Sequence, residues 1–233
     1  MMDLESSGGG RQQKKAESRR RILESAREIF FRDGFMSANL DEVAEKAGVA
    51  KGTLYRYFES KADLYVAVLA ENGRVFTEKM SLVAGEPEST IDQLWAISDF
   101  YFDHWTRNQD YFQIFWAIDN QSVIGDLPGP VVDEVTRLWE QSLRILDGVL
   151  RQGVEGGALR ECDTWTVANI LWTVANSVIQ SEATLARREL RRSPLEQVYQ
   201  EAFATLLRGL CVDPSTVGRD ASTAAPTLTR QSG

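Results

Sequence analysis

Imidazole and thiol are scarce in this sequence. One histidine, His104, and two cysteines, Cys162 and Cys211, stand among 233 residues. Most hydrolytic and metal-dependent chemistry needs an imidazole beside other polar partners, so no catalytic residue is assigned. Two thiols build neither a disulfide framework nor a thiolate zinc site, and no metal or cofactor is expected. His104 follows Asp103 and is expected to titrate near neutrality. No apolar run approaches the ~18 residues of a membrane span. The N-terminal stretch MMDLESSGGGRQQKKAESRRR lacks the apolar core of a secretion signal. A cytoplasmic chain with no membrane partner is the expectation.

Hydrophobic residues make up 43% of the chain and charged ones 26%, enough apolar side chain for a substantial core. The net charge of −8 is unevenly spread. Residues 1–61 hold 12 basic and 10 acidic side chains, a balance of +2, which leaves −10 for the remainder. Within residues 11–21 six cations face one anion, Glu17. An acidic body with a basic working end is a pattern that points to nucleic acid.

Helical period runs through nearly the whole sequence. Ile22, Ala26, Ile29 and Phe30 make one buried stripe that stops at Asp33-Gly34. Asn39-Leu40-Asp41-Glu42 reads as a capping box opening a short second helix, which ends at Gly48. A third follows from about Lys51 to Phe58. Longer segments at 61–82, 89–106, 110–119, 131–153, 164–189 and 195–210 complete an all-α chain of about nine helices. By composition, residues 1–17 form a disordered basic arm and 213–233 a disordered tail. Between them lie a helix-turn-helix domain at 18–64 and a larger helical domain at 65–212.

The informative stretch is NLDEVAEKAGVAKGTLYRYFESK, Asn39 to Lys61. Two short helices joined by a glycine turn form the helix-turn-helix design. Ala44 lets the helices approach, Gly48 opens the turn, and Val43, Ala47, Val49 and Leu54 wedge between them. Phe58 belongs to the core. Lys51, Thr53, Tyr55, Tyr57 and Lys61 cluster on or just after the second helix, whose N-terminal residues reach base edges in a major groove. Gly52 keeps that end slim. Tyrosine hydroxyls and lysine ammonium groups suit phosphate, which positions a protein without reading sequence. The arm, Arg11 to Lys15, is a further candidate for the minor groove beside that helix.

GVAKGTLYRYFESKADL, with the helices before it, resembles the signature of the tetracycline-repressor (TetR) family of bacterial regulators. The resemblance is strong over about residues 18–65. It implies that Lys51, Gly52, Thr53, Tyr55, Tyr57 and Lys61 line double-stranded operator DNA. It also implies that the helix from Lys61 connects this head to a ligand-binding, dimerising body. Ala38 stands where the family often has threonine, and Ala50 where it often has a capping serine, a loss of about 1 kcal/mol.

All six tryptophans lie after residue 90. Rigid rings between helices suit a largely apolar small-molecule effector. Helix 164–189 is apolar nearly all round up to Ile179, which calls for burial on several sides. Its stripe Asn169, Trp172, Asn176 and Gln180 faces a ligand, a partner copy, or other groups of its own chain; the ligand is taken as the working assignment. The amphipathic segment 195–210 pairs with 164–189 as a face for a homodimeric four-helix bundle, the same pair that the resemblance implies. The expected function is a ligand-responsive regulator, in the first instance a repressor released from a near-palindromic operator. An architectural DNA-binding protein without an effector is the alternative.

Overall fold

A computed structural model describes residues 7–109, Phe112 and residues 128–218, with side chains from Gln12 onward. Nine α-helices lie within them: α1 Ser7–Ser37, α2 Leu40–Lys46, α3 Lys51–Tyr57, α4 Lys61–Gly85, α5 Thr90–Arg107, α6 Gly129–Glu155, α7 Thr164–Gln180, α8 Leu185–Arg191 and α9 Leu195–Leu210. Among the described residues the only β pairing is an isolated bridge between Leu159 and Cys211. The chain is all-α. Apart from Phe112, the expected helix at 110–119, with Trp116, lies outside the described residues, as do the first six residues and 219–233.

Two compact units result, one of residues up to Leu82 with Asp103–Arg144, the other of Val83–Phe102 with Ile145 onward. In the first, Ile22, Ala26, Ile29 and Phe30 bury one face of α1, as the periodicity requires. Val43, Ala44, Ala47, Leu54 and Phe58 join them, with Leu64, Tyr65 and Val68 of α4. The α1 backbone turns at Gly34, whose φ of +74° suits only glycine without strain. Further along, Gly73 admits Leu138: a Cβ there would lie 2.2 Å from the leucine Cδ2.

The N-terminal arm differs from expectation, because helix continues back to Ser7. Gln12, Lys14, Lys15, Ala16 and Glu17 are good helix formers. Arg20 adds bonds to Glu17 (2.7 Å) and Glu24 (2.6 Å), one turn away on either side. Polar composition suggests disorder, yet it is equally the composition of a solvated helix.

His104 sits edge-on to Phe76 (4.7 Å between centroids) and to Trp105 (4.8 Å). Burial, with Lys79 nearby, pushes its pKa down to about 4 rather than leaving it near neutrality. Asp103 is bonded instead to Arg107 at 2.7 Å. The unfolded chain takes up a proton near pH 6.5 and the folded one only near 4. Stability is therefore fully present above pH 6.5 and falls as pH drops through that window. For a half-buried, partly screened ring the loss is about 1–2 kcal/mol. His104→Phe should flatten this part of the urea-midpoint-against-pH curve; an unaltered curve would assign the dependence to other groups.

In the second unit, α7 and α9 pack together around Leu171, Ala175, Ile179, Tyr199, Phe203 and Leu207. The expected helix 164–189 is broken. It ends at Gln180, passes through a 3-10 turn at Ser181–Ala183, and restarts as α8 after an extended Thr184. The Ser181 hydroxyl donates to the Val178 carbonyl at 2.6 Å, while Arg191 clamps Glu182 at 2.8 Å. Nor is α7 buried on every side: Trp165 is 40% exposed and Ile170 46%. The expected tail at 213–233 is ordered over its first described residues, 213–218. Asp213 accepts from the Ser215 amide at 2.9 Å, capping a 3-10 turn that buries Val217.

Candidate nucleic-acid interface and effector residues

Local chemistry fixes α2, the first helix of the helix-turn-helix, at both ends. The Asn39 side chain accepts from the Asp41 amide at 2.8 Å and caps α2. At its other end the Gly48 amide donates to the Glu45 carbonyl and the Val49 amide to that of Ala44, both at 3.0 Å. With Gly48 at φ +64°, this is the two-bond Schellman exit. α3 starts without a side-chain cap at Ala50, as its missing hydroxyl predicts. Its first turn is held instead by Lys51, whose ammonium lies 2.6 Å from the Asp41 carboxylate. That pair is exposed, so it steers more than it stabilises. The carboxylate raises the Lys51 pKa above the ordinary lysine value.

The faces of α3 then sort themselves by period. Leu54 and Phe58 are buried; Lys51 and Tyr55 point outward, and Tyr55 is 44% exposed. Gly52 is exposed, and a Cβ added there would meet nothing within 4 Å; Thr53 is half-buried beside it. Lys51, Gly52, Thr53 and Tyr55 thus share the outer side of α3. Arg56, which the helical period sets nearly opposite Leu54, is exposed there too, its guanidinium 5.9 Å from the Tyr57 ring centre.

Tyr57 and Lys61 are placed differently, with bonds back to α1. The Tyr57 hydroxyl donates to the Lys15 carbonyl at 3.1 Å. The Lys61 ammonium donates to the Met36 carbonyl at 2.8 Å and sits 5.3 Å from the Phe35 ring centre. Partial burial lowers the Lys61 pKa. Each group keeps hydrogen-bonding capacity for a phosphate, but each also fixes α1 against the motif.

In the second unit the four residues expected at a ligand divide as well. Asn176 is 3% exposed, and its Oδ1 accepts from the Tyr101 hydroxyl at 2.6 Å. Asn169 donates to the Trp165 carbonyl of its own helix at 2.8 Å. Asn169, Trp172 and Gln180 are half-buried. Nearby, the Tyr199 hydroxyl donates to the Ser98 carbonyl at 3.2 Å, and its ring lies 4.7 Å from that of Phe102. Sequence alone offers no pairing for Asn176, because Tyr101 lies 75 positions away. Among the described residues no three His, Cys, Asp or Glu side chains gather as metal ligands, and no helix is long and apolar enough to cross a membrane.

Residues 22–68 match the family described as bacterial regulatory proteins, tetR family. The fatty acid metabolism regulator protein of Bacillus subtilis (strain 168) is 25% identical over 140 residues, 60% of this chain and 70% of that protein. The HTH-type transcriptional activator FasR of Mycolicibacterium smegmatis is 42% identical over 103 residues, 44% of this chain and 47% of its own. In fold, the chain is similar to the crystal structure of FadR from Bacillus subtilis in complex with stearoyl-CoA. The TM-score is 0.67 at 20% identity, over 82% of this chain and 98% of that one.

Proposed function

Because the chain belongs to the tetR family of bacterial regulatory proteins, we propose that it is a ligand-responsive transcriptional repressor of the bacterial cytoplasm. The observation that carries this is the outer side of α3, where Lys51, Gly52, Thr53 and Tyr55 stand together after an α2 fixed at both ends. Residues 18–64 serve as the DNA head and residues 65–212 as the effector-binding and dimerising body. Thr53 reads a base edge; Lys51, Tyr55, Tyr57 and Lys61 hold phosphates; Gly52 lets the backbone come close. Two heads of a homodimer, joined through α7 and α9, meet successive major grooves of a near-palindromic operator about 34–36 Å apart. The exposed Trp165 and Ile170 of α7 suit such a contact.

The effector is largely apolar, and Trp172, Asn176, Gln180 and Asn169 are its proposed contacts. FadR of Bacillus subtilis was crystallised with stearoyl-CoA, which makes a long-chain acyl thioester the first probe. Effector and operator affinities must change by the same factor in each direction. Occupying an operator blocks transcription with no further contact, which favours repression. FasR, an activator, supports the opposite sign, and run-off transcription with and without stearoyl-CoA separates the two.

The test begins with selection of binding sites from a random duplex library. A two-fold symmetric motif is expected. Thr53→Ala should then alter preference at one base position per half-site, by about 1–3 kcal/mol. Uniform weakening over all base variants would make Thr53 a positioning residue, and failure to select any motif would remove the regulator reading.

A further inference from the structure

Resting on the reading of α3 as the DNA-reading helix, we propose that the basic turns of α1, from Lys14 to Arg19, are a second DNA surface. They grip the phosphate backbone beside α3 as a preformed helix. The first ground is register. Counting from buried Ile22 toward the N-terminus by three and then four residues reaches Arg19 and Lys15, both exposed. The face of α1 that packs in the core therefore turns cationic where the core ends.

The second ground is attachment. Tyr57, in the last turn of α3, donates to the Lys15 carbonyl at 3.1 Å, and the Arg19 guanidinium lies 5.6 Å from the ring centre of Phe58. These contacts tie the basic turns to the end of the recognition helix, so the two surfaces are continuous. The third ground is charge. Arg20, on the other side of α1, is neutralised by Glu17 and Glu24. Among the described residues no ion pair involves Lys14, Lys15 or Arg19, so their charge is not offset within the domain, whereas Arg32, Lys46 and Lys51 each face a carboxylate.

The occupant follows from what the segment lacks. Gln12 to Arg20 contains no large apolar side chain, so it offers nothing to a membrane interior or to the dry centre of a protein interface. Cations on a rigid scaffold match a regular polyanion, and counterion release supplies the affinity.

Full-length protein would be titrated by fluorescence anisotropy across potassium chloride concentrations, against a random-sequence 30-bp duplex and a duplex selected by the protein itself. Lys14→Gln/Lys15→Gln/Arg19→Gln should lower the salt slope on both by about 0.9 per lost phosphate contact, hence by at least ~2 for a dimer. Binding near 0.15 M salt should weaken about 10-fold or more on both duplexes. Lys14→Arg/Lys15→Arg/Arg19→Lys should keep the parental slope. If the glutamine variant binds with the parental slope, the α1 surface is wrong and the α3 reading stands. If the parent binds neither duplex, the α3 reading itself fails. A loss confined to duplexes with A·T-rich flanks would overturn the phosphate assignment in favour of minor-groove reading. Circular dichroism checks the fold; should Arg19→Gln disturb it, Lys14→Gln/Lys15→Gln alone decides by the same slopes.

Discussion

Leu54→Ala is expected to destabilise the DNA head by about 2–5 kcal/mol and to abolish operator binding, whereas Tyr55→Ala, one residue on, should leave stability within about 0.5 kcal/mol and still weaken binding. Leu54 is fully buried, and Tyr55, about 100° further round the same short helix, is 44% exposed. Truncating Leu54 removes apolar contact and leaves a cavity against α2, whose two ends are fixed by Asn39 and Gly48. Truncating Tyr55 removes a hydroxyl and ring that meet solvent in the free protein. Urea unfolding monitored by circular dichroism gives the stability arm, and anisotropy on the selected duplex gives the binding arm. Equal destabilisation by both substitutions would mean that the Tyr55 side of α3 packs against protein rather than being presented to DNA.

That contrast also explains what could be read in advance. Positions in a helix-turn-helix are set by local rules: a cap at Asn39, a positive-φ exit at Gly48, and a 3.6-residue period that places Leu54 and Phe58 inside. Each rule acts within about ten residues, so sequence carries it fully. Three features needed information that sequence period does not hold. The helical state of residues 12–17 depends on propensity and on the Arg20 pairs, and polar composition resembles both helix and coil. The break at Ser181 comes from a hydroxyl that turns back on Val178 and from an arginine ten residues later, just past the apolar run that ends at Ile179. The inward pull on Lys61 comes from Met36, 25 residues earlier. Its position on the motif was legible, but the partner of its ammonium group was not. His104 shows the same limit for chemistry: its neighbour in sequence, Asp103, turns to Arg107, and the rings that bury it are Phe76 and Trp105.

Asn176→Leu is expected to reduce stability by about 1–3 kcal/mol and affinity for the proposed effector by roughly 5- to 150-fold. The two losses have different origins. Stability falls because the Tyr101 hydroxyl, 2.6 Å from Asn176 Oδ1 inside the second unit, is deprived of this acceptor. Affinity falls because the carbonyl engaged by Tyr101 still leaves the amide group of Asn176 to meet a polar atom of the effector. A double-mutant cycle separates them. Tyr101→Phe alone removes the donor and should cost a similar amount of stability. Tyr101→Phe/Asn176→Leu removes both partners together, so its cost should fall short of the sum of the two singles by about 0.5–3 kcal/mol. Stability then recovers in the double variant, while affinity for stearoyl-CoA, read from tryptophan emission and by calorimetry, should stay low. Operator affinity without effector should barely change. If affinity recovers along with stability, Asn176 acts only through its bond to Tyr101 and does not touch the ligand. If Asn176→Leu instead yields monomers by analytical ultracentrifugation and loses the operator, this side of α7 belongs to the dimer contact and not to an effector site.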